Sequence, residues 1–405
     1  MRRRDVKAFL GLALVLGACG RSDAPPAAAP ASAAPASVAP ASAPATTAPA
    51  PAAPATAAPV PKRPPDPVPQ DNIQAGPTAD LPPADRVFVA GDLLVAARGD
   101  RLWAAQRTGD TWNVLWITEP QAGVAHKVAF GDLGQGPRLY VAWGVGRGFL
   151  AAPLVLRAHD PATGVGTEIW RDAGQRNEAT DLDFQDVDAD GKPDLMFAYF
   201  ASKYMVKARH ISATGRVIEG PEVRMATSRT FGDLDGDGQL DEVVGRVYGD
   251  AKGDPGDLTV HFGGGPSVKV PVVNGVKGVL ITRLAGDARD TLYVSDGWLA
   301  DYGKQAKARI ERITWTGRTP VLELVATSPD EFTFFDLAAT DLDGDGQPEL
   351  VVQGDKRVTR YDPAPQPPWT PRVLAGITPV LNTAVGLGHV FVPAEPQTRA
   401  VPVPK

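Results

Sequence analysis

The sequence predicts an all-β protein, a β-propeller of about seven four-stranded blades carried behind a long Ala/Pro-rich stretch. Three observations carry that expectation. From about Asp85 the chain is a series of short apolar or alternating runs divided by Gly, Asp, Asn and Pro, with few helix signals. A signature recurs at Phe130-Gly-Asp132, Gln185-Asp186, Phe231-Gly-Asp233, Gly286-Asp287 and Thr340-Asp341, at spacings of 54, 47, 54 and 54 residues. Three of these copies open an acidic loop and then an apolar, β-branched run. A period near fifty with four strands per unit suits blades that hide their faces against their neighbours.

Taken in order, residues 1–18 join Arg2, Arg3, Arg4 and Lys7 to the apolar run Ala8 to Leu16. This reads as a secretion signal, because the apolar core is far short of the ~20 residues that a bilayer span needs. It closes on Leu16-Gly-Ala-Cys19, and Cys19 is the single cysteine, which excludes an intramolecular disulfide or a thiolate cluster. Those four residues resemble the lipobox of bacterial lipoproteins, in which the cysteine becomes the lipidated first residue; a buried free thiol is the plain alternative. In that family an Asp after the cysteine retains the protein at the inner membrane, and Gly20 stands here, so the resemblance implies the outer membrane.

Residues 19–84 follow as a tether. From Ala24 to about Pro69 they are almost wholly Ala, Pro, Ser and Thr, which bury no core. About 45 residues at ~3.1 Å each in a polyproline-like conformation make a semi-rigid stalk of up to roughly 140 Å. Proline-directed recognition and O-glycosylation of its Ser and Thr residues are the other readings of such a composition. Loss of residues 1–18 moves the formal charge from -6 to about -9, and an acidic surface argues against nucleic acid as a partner.

Residues 85–395 are the expected propeller. A faint first unit starts at Val87-Phe-Val-Ala-Gly-Asp92 and continues through Leu93 to Ala97, Leu102 to Arg107 and Trp112 to Ile117. The units at Asp132 and Asp287 lack further ligands but keep their strands, Leu139-Tyr-Val-Ala-Trp143 and Leu292-Tyr-Val-Ser295. Thr383 to Val392 begins a partial seventh unit, whose missing outer strand is expected from residues near 72 to 86, since rings of this kind close by pairing their termini. Six blades with a C-terminal extension is the alternative, and residues 396–405 read as a tail.

The chemistry lies in the three acidic loops. In Asp186-Val-Asp-Ala-Asp-Gly-Lys-Pro-Asp194, Asp233-Leu-Asp-Gly-Asp-Gly-Gln-Leu-Asp241 and Asp341-Leu-Asp-Gly-Asp-Gly-Gln-Pro-Glu349, acids occupy positions one, three, five and nine. The expected side-chain ligands are Asp186, Asp188, Asp190 and Asp194; Asp233, Asp235, Asp237 and Asp241; and Asp341, Asp343, Asp345 and Glu349. Backbone carbonyls of Lys192, Gln239 and Gln347 complete each set. Acids this close resist joint ionisation unless a cation neutralises them, and hard oxygen donors suit Ca2+. A solvated acidic Asx turn is the bland reading. An EF-hand is excluded, because position twelve is Phe197, Val244 or Val352 and strands, not helices, follow.

The acidic run followed by a Leu-Val-Val strand resembles the FG-GAP or VCBS repeats of integrin alpha-subunit propellers and bacterial surface proteins. That resemblance spans most of the chain after the stalk and is strongest at Asp186, Asp233 and Asp341. It implies calcium in the loop between the first two strands of a blade, a mainly structural role for the ion, and ligands that commonly bind elsewhere, often on the opposite face.

Enzyme signatures are sparse. His126, His159, His210, His261 and His389 are scattered without HExxH spacing and read as surface or strand residues. No GxSxG elbow is present. Gly144 to Gly148 and Phe262 to Pro266 read as hairpin turns, not phosphate loops. The catalytic alternative is a propeller-based polysaccharide lyase or glycoside hydrolase, which requires two carboxylates within ~10 Å in a groove lined by exposed aromatics. Trp103, Trp112, Trp116, Trp143, Trp170, Trp298, Trp315 and Trp369 include any sugar platform, although packing between blades is their commoner use. The expected protein is therefore a lipid-anchored, calcium-stabilised envelope propeller that binds a protein or glycan.

Overall fold

The computed structural model describes residues 81–403 apart from 145–152, 173–177, 189, 202–204, 225, 251–254, 264, 273, 298–306, 332, 365, 377–382 and 394–396. Cys19 and the stalk lie outside the described residues. Within them the chain is all strand, in seven antiparallel sheets that follow chain order. Blade one is β1 (Arg86–Ala90), β2 (Leu93–Arg98), β3 (Arg101–Thr108) and β4 (Thr111–Ile117). Blade two is β5 (Val124–Gly131), β6 (Arg138–Gly144), β7 (Leu154–His159) and β8 (Gly166–Asp172). Blade three holds β9 (Ala179–Gln185), β10 (Asp194–Phe200), β11 (Met205–Ile211) and β12 (Val217–Arg224). Blade four holds β13 (Ala226–Gly232), β14 (Asp241–Arg246), β15 (Leu258–His261) and β16 (Ser267–Val270). Blade five is β17 (Val276–Thr282), β18 (Thr291–Asp296), β19 (Arg309–Thr316) and β20 (Thr319–Thr327). Blade six is β21 (Phe334–Thr340), β22 (Glu349–Gly354), β23 (Arg357–Tyr361) and β24 (Pro371–Gly376). The seventh is β25 (Ala384–Gly386), β26 (His389–Val392) and β27 (Arg399–Pro402).

The first strands form the ring: β1 packs on β5, β5 on β9, β9 on β13, and so on through β21 and β25 back to β1. The apolar residues sort accordingly. Second strands are covered on both faces, which is why β6, β10 and β18 are almost wholly buried. Outer strands are covered only in part, as in β4, where Trp112 and Trp116 are buried while Val114, Leu115 and Ile117 are exposed and the pairing with β3 skips Leu115. Seven buried apolar clusters result, one at each seam between neighbouring blades. Register shifts near the entry of β5, β9, β13, β17 and β21 repeat a bulge at one place in five blades.

The Phe-Gly part of the signature has a packing cause. A Cβ at Gly131 would lie 2.5 Å from the Phe184 ring, and one at Gly232 2.6 Å from Ile281, both on the next blade.

The termini close the ring. Leu81 bridges Thr398 antiparallel at the edge of β27, Thr398 donates from its N–H and its hydroxyl to the Pro82 carbonyl, and Leu81 is buried. Of the outer strand expected from residues near 72 to 86, the described residues show a single bridge at Leu81 beside a three-stranded blade seven, and residues 72–80 lie outside them. The boundaries move at both ends: Leu81 to Ala84 belong to the ring and not to the tether. Residues 399–402, expected in a tail, are a strand of blade seven, because the β26 edge would otherwise stand unpaired.

Candidate metal centres and an inter-blade cleft

The three acidic loops join first to second strands in blades three, four and six and share one backbone scaffold. The glycine at position six has positive φ in each, +83° at Gly191 and Gly238 and +86° at Gly346, which turns the loop back on itself. Both oxygens of the first carboxylate accept backbone N–H groups. Asp233 takes Gly236 at 2.8 Å and Gly238 at 3.0 Å, Asp341 takes Gly344 at 2.7 Å and Gly346 at 2.9 Å, and Asp186 takes Asp190 at 3.0 Å and Gly191 at 2.9 Å. The N–H groups of Lys192, Gln239 and Gln347 donate to the fifth-position carboxylates.

The ninth carboxylate is the buried one. It accepts the N–H of the second residue in every loop: Val187 to Asp194 at 3.2 Å, Leu234 to Asp241 at 2.8 Å and Leu342 to Glu349 at 2.8 Å. That second residue is the loop's plug, since Leu234 and Leu342 are buried in the seams with blades five and seven. Burial pushes Asp194, Asp241 and Glu349 above the usual carboxylate range, with the charge of Asp188 adding to the effect at Asp194.

Carboxylate oxygens meet within 4.8 Å in three groups: Asp186, Asp188 and Asp194; Asp233, Asp235 and Asp241; and Asp341, Asp343, Asp345 and Glu349. Asp190 and Asp237 stay outside these groups, turned to solvent. The donors are all oxygen, the set a hard divalent cation takes, so the residues fit the ion that the motif implies.

Arginines that no local motif announced also reach the loops. Arg318, from the β19–β20 hairpin, places Nε 3.0 Å from Asp235 Oδ2, and Arg289 donates to the Asp235 carbonyl at 2.8 Å. Arg360 on β23 places Nη2 2.6 Å from Asp343 Oδ2 and 3.2 Å from Glu349 Oε1, and its hydrogen bond holds Asp343 below the usual carboxylate range. The loops without ligand sets solve the same problem otherwise. Asp132 Oδ1 accepts the N–H groups of Gly134, Gln135 and Gly136 at 2.7, 2.8 and 2.8 Å, while Asp287 is held by Arg312 and by the Tyr293 hydroxyl at 2.9 Å.

Because Asp132 opens a short loop, a cleft of about 500 Å³ lies between blades two and three, at the end of the blades that carries the acidic loops. Leu133, Ile169, Ile211 and Val165 give it apolar walls, and Gln135, Thr163, Thr167 and Ser212 polar ones. Arg138 and Asp160 form a half-exposed ion pair of 2.9 Å on its rim. The resemblance implies ligands that commonly bind elsewhere, often on the face opposite to the acidic loops; this cleft lies at the end of the blades that carries those loops. The histidines all sit in strands, with His126, His159 and His389 buried. Six tryptophans are buried and Trp170 half-buried, while Trp298 lies outside the described residues. Phe262 to Pro266 is the predicted hairpin turn between β15 and β16, with Gly265 donating to the Phe262 carbonyl.

The sequence matches no protein-family model and no curated relative. Among solved structures, it is similar to Sqt1 of Saccharomyces cerevisiae, at 9% identity and a TM-score of 0.49 over 81% of this chain and 100% of that one. Similar too are Sqt1 of Chaetomium thermophilum, at 13% identity and a TM-score of 0.44 over 75% and 76%, and a functionally unknown protein of Desulfotomaculum acetoxidans DSM 771, at 12% and 0.45 over 74% and 87%.

Proposed function

We propose that this chain is a calcium-stabilised propeller of the bacterial cell envelope, anchored by lipid on Cys19 at the outer membrane, that presents a rigid ring to a protein or glycan partner. The observation that carries the reading is a linkage that recurs in all three loops, acidic loop to buried ninth carboxylate to N–H of the second residue, and that continues into the seam with the next blade at Leu234 and Leu342. A cation that neutralises the loop acids fixes the plug and so the joint between blades. Calcium is the ion of choice, because flexible, all-oxygen carboxylate sites favour it. Binding, not turnover, suits the cleft, whose one lining carboxylate, Asp160, is already paired with Arg138.

The test is a melting curve of the full chain in calcium, in magnesium and in chelator. Extracellular-type sites have dissociation constants of roughly 10^-4 to 10^-3 M, and a hundredfold excess of ion stabilises by about 2.7 kcal/mol per site. Calcium should therefore raise Tm by several degrees, and Cys19→Ser should release the protein from membranes into the aqueous phase. A melting temperature indifferent to chelation would end the structural role of the ion.

A further inference from the structure

We infer that Arg360 is a built-in cation for the third acidic loop, so that residues 341–349 hold their carboxylates together without calcium while 186–194 and 233–241 depend on it. This rests on the calcium reading above.

Strand register makes the argument. The residue after the ninth ligand pairs with Ile211 in blade three, with His261 in blade four and with Tyr361 in blade six. One step back along the third strand stand His210, Val260 and Arg360. Blade five provides the control, because Leu292 pairs with Ile313 there and the corresponding residue is Arg312. That blade keeps only two loop acids, of which Asp290 pairs with Arg283, and Arg312 bonds directly to the other, Asp287, itself only 1% exposed. An arginine at this register position therefore already serves as the counter-charge of one loop.

Arg360 does the same in blade six with the acids still in place. Its side chain is 5% exposed, and one nitrogen touches both Asp343 and Glu349, the third- and ninth-position carboxylates a calcium ion would need. The third loop is also where all four carboxylates gather within 4.8 Å; the other two gather three. Closer packing of like charges requires a closer positive charge, and the guanidinium supplies it. Arg318 is a weaker substitute in blade four. It comes from the neighbouring blade, is 35% exposed, and contacts Asp235 and Asp237 while leaving Asp233 and Asp241 to an ion.

The experiment is a count of bound calcium by equilibrium dialysis on the full chain, alongside melting in chelator. The wild type should bind two ions, Asp188→Asn should lose one, and Asp341→Asn should lose none. Arg360→Met should gain a third ion, and in chelator it should melt below the wild type because the loop has lost its own cation. Three ions in the wild type, with one lost in Asp341→Asn and no change in Arg360→Met, would overturn the inference. If no variant binds calcium, the Arg360→Met melt in chelator still decides: a lower Tm keeps Arg360 as the internal cation although the calcium reading falls, and an unchanged Tm removes both.

Discussion

Between blades four and five, Leu234 enters a seam closed by Val243, Leu258, Leu292 and Ile313, with Phe262 edge-on to Trp315 at 5.0 Å. Between blades three and four the buried apolar set is Ala198, Val206, Ala208, Ala226 and Val244, and the plug Val187 stays half-buried. The second seam also faces an ion pair within blade four, where Arg229 Nε lies 2.5 Å from Glu242 with side chains 5% and 20% exposed, whereas in the first Arg318 of blade five crosses to Asp235 of blade four at 3.0 Å, with side chains 35% and 8% exposed. A water-sized void beside it is lined by Ala198, Val206, Val223 and Ala226 as well as by Thr180, Asp181, Ser228 and Arg229, and the Arg229 Nη2 finds no hydrogen-bond partner. The two joints have the same topology but different chemistry. Each lies beneath an acidic loop, but hydrocarbon fills the first, whereas the second combines a thin apolar set with the Arg229–Glu242 ion pair.

The largest expected effect follows from that ion pair. Glu242→Leu strands the Arg229 guanidinium in the seam and should cost roughly 3–5 kcal/mol in denaturant unfolding, because removing one partner of a buried pair leaves an uncompensated charge. The double variant Arg229→Met with Glu242→Leu should recover most of that loss. If the single variant is neutral, the pair does not hold this joint.

Next come the plugs. Leu234→Ala opens a cavity in a filled seam and should cost 2–5 kcal/mol, whereas Val187→Ala, at a half-buried site in a thin one, should cost about 1 kcal/mol or less. Equal losses in the two variants would mean that the seams are packed alike and that the comparison misjudges them.

Much of this architecture was legible in the chain. Strand period, Phe-Gly-Asp spacing and acid pattern located the blades and loops, because each depends on local geometry: a glycine where the next blade crowds in, a glycine where φ is positive, acids on alternate positions. Gln185, at the place that Gly131 and Gly232 fill in other blades, even marks the looser seam. What the chain did not display is set by register across strands. Counted from the first acid of each loop, Arg360 lies 19 residues after Asp341 but Arg312 lies 25 after Asp287, so no fixed spacing reveals the pair. Strand β27 escaped because four residues ending in proline look like a tail until Leu81 and β26 flank them.

A last expected effect separates the seams by pH. Asp181, on the innermost strand β9 and lining the void beside Arg229, is pushed up to about 6, first by burial and then by the charges of Asp183 and Asp336, against the pull of Lys127. A carboxyl whose folded pKa lies above its unfolded value near 3.8 favours the folded state when protonated. Its contribution is complete below pH ~4 and is lost as pH rises through ~6. With calcium saturating, the wild type should therefore lose stability between pH 4 and 7 through this group. Asp181→Asn, which keeps an oxygen to accept the Leu182 N–H at 2.9 Å, should flatten that part of the profile and unfold at higher denaturant at pH 8. An unchanged pH profile in Asp181→Asn would show that the carboxylate is fully compensated, and that the joint between blades three and four carries no cost from its polar lining.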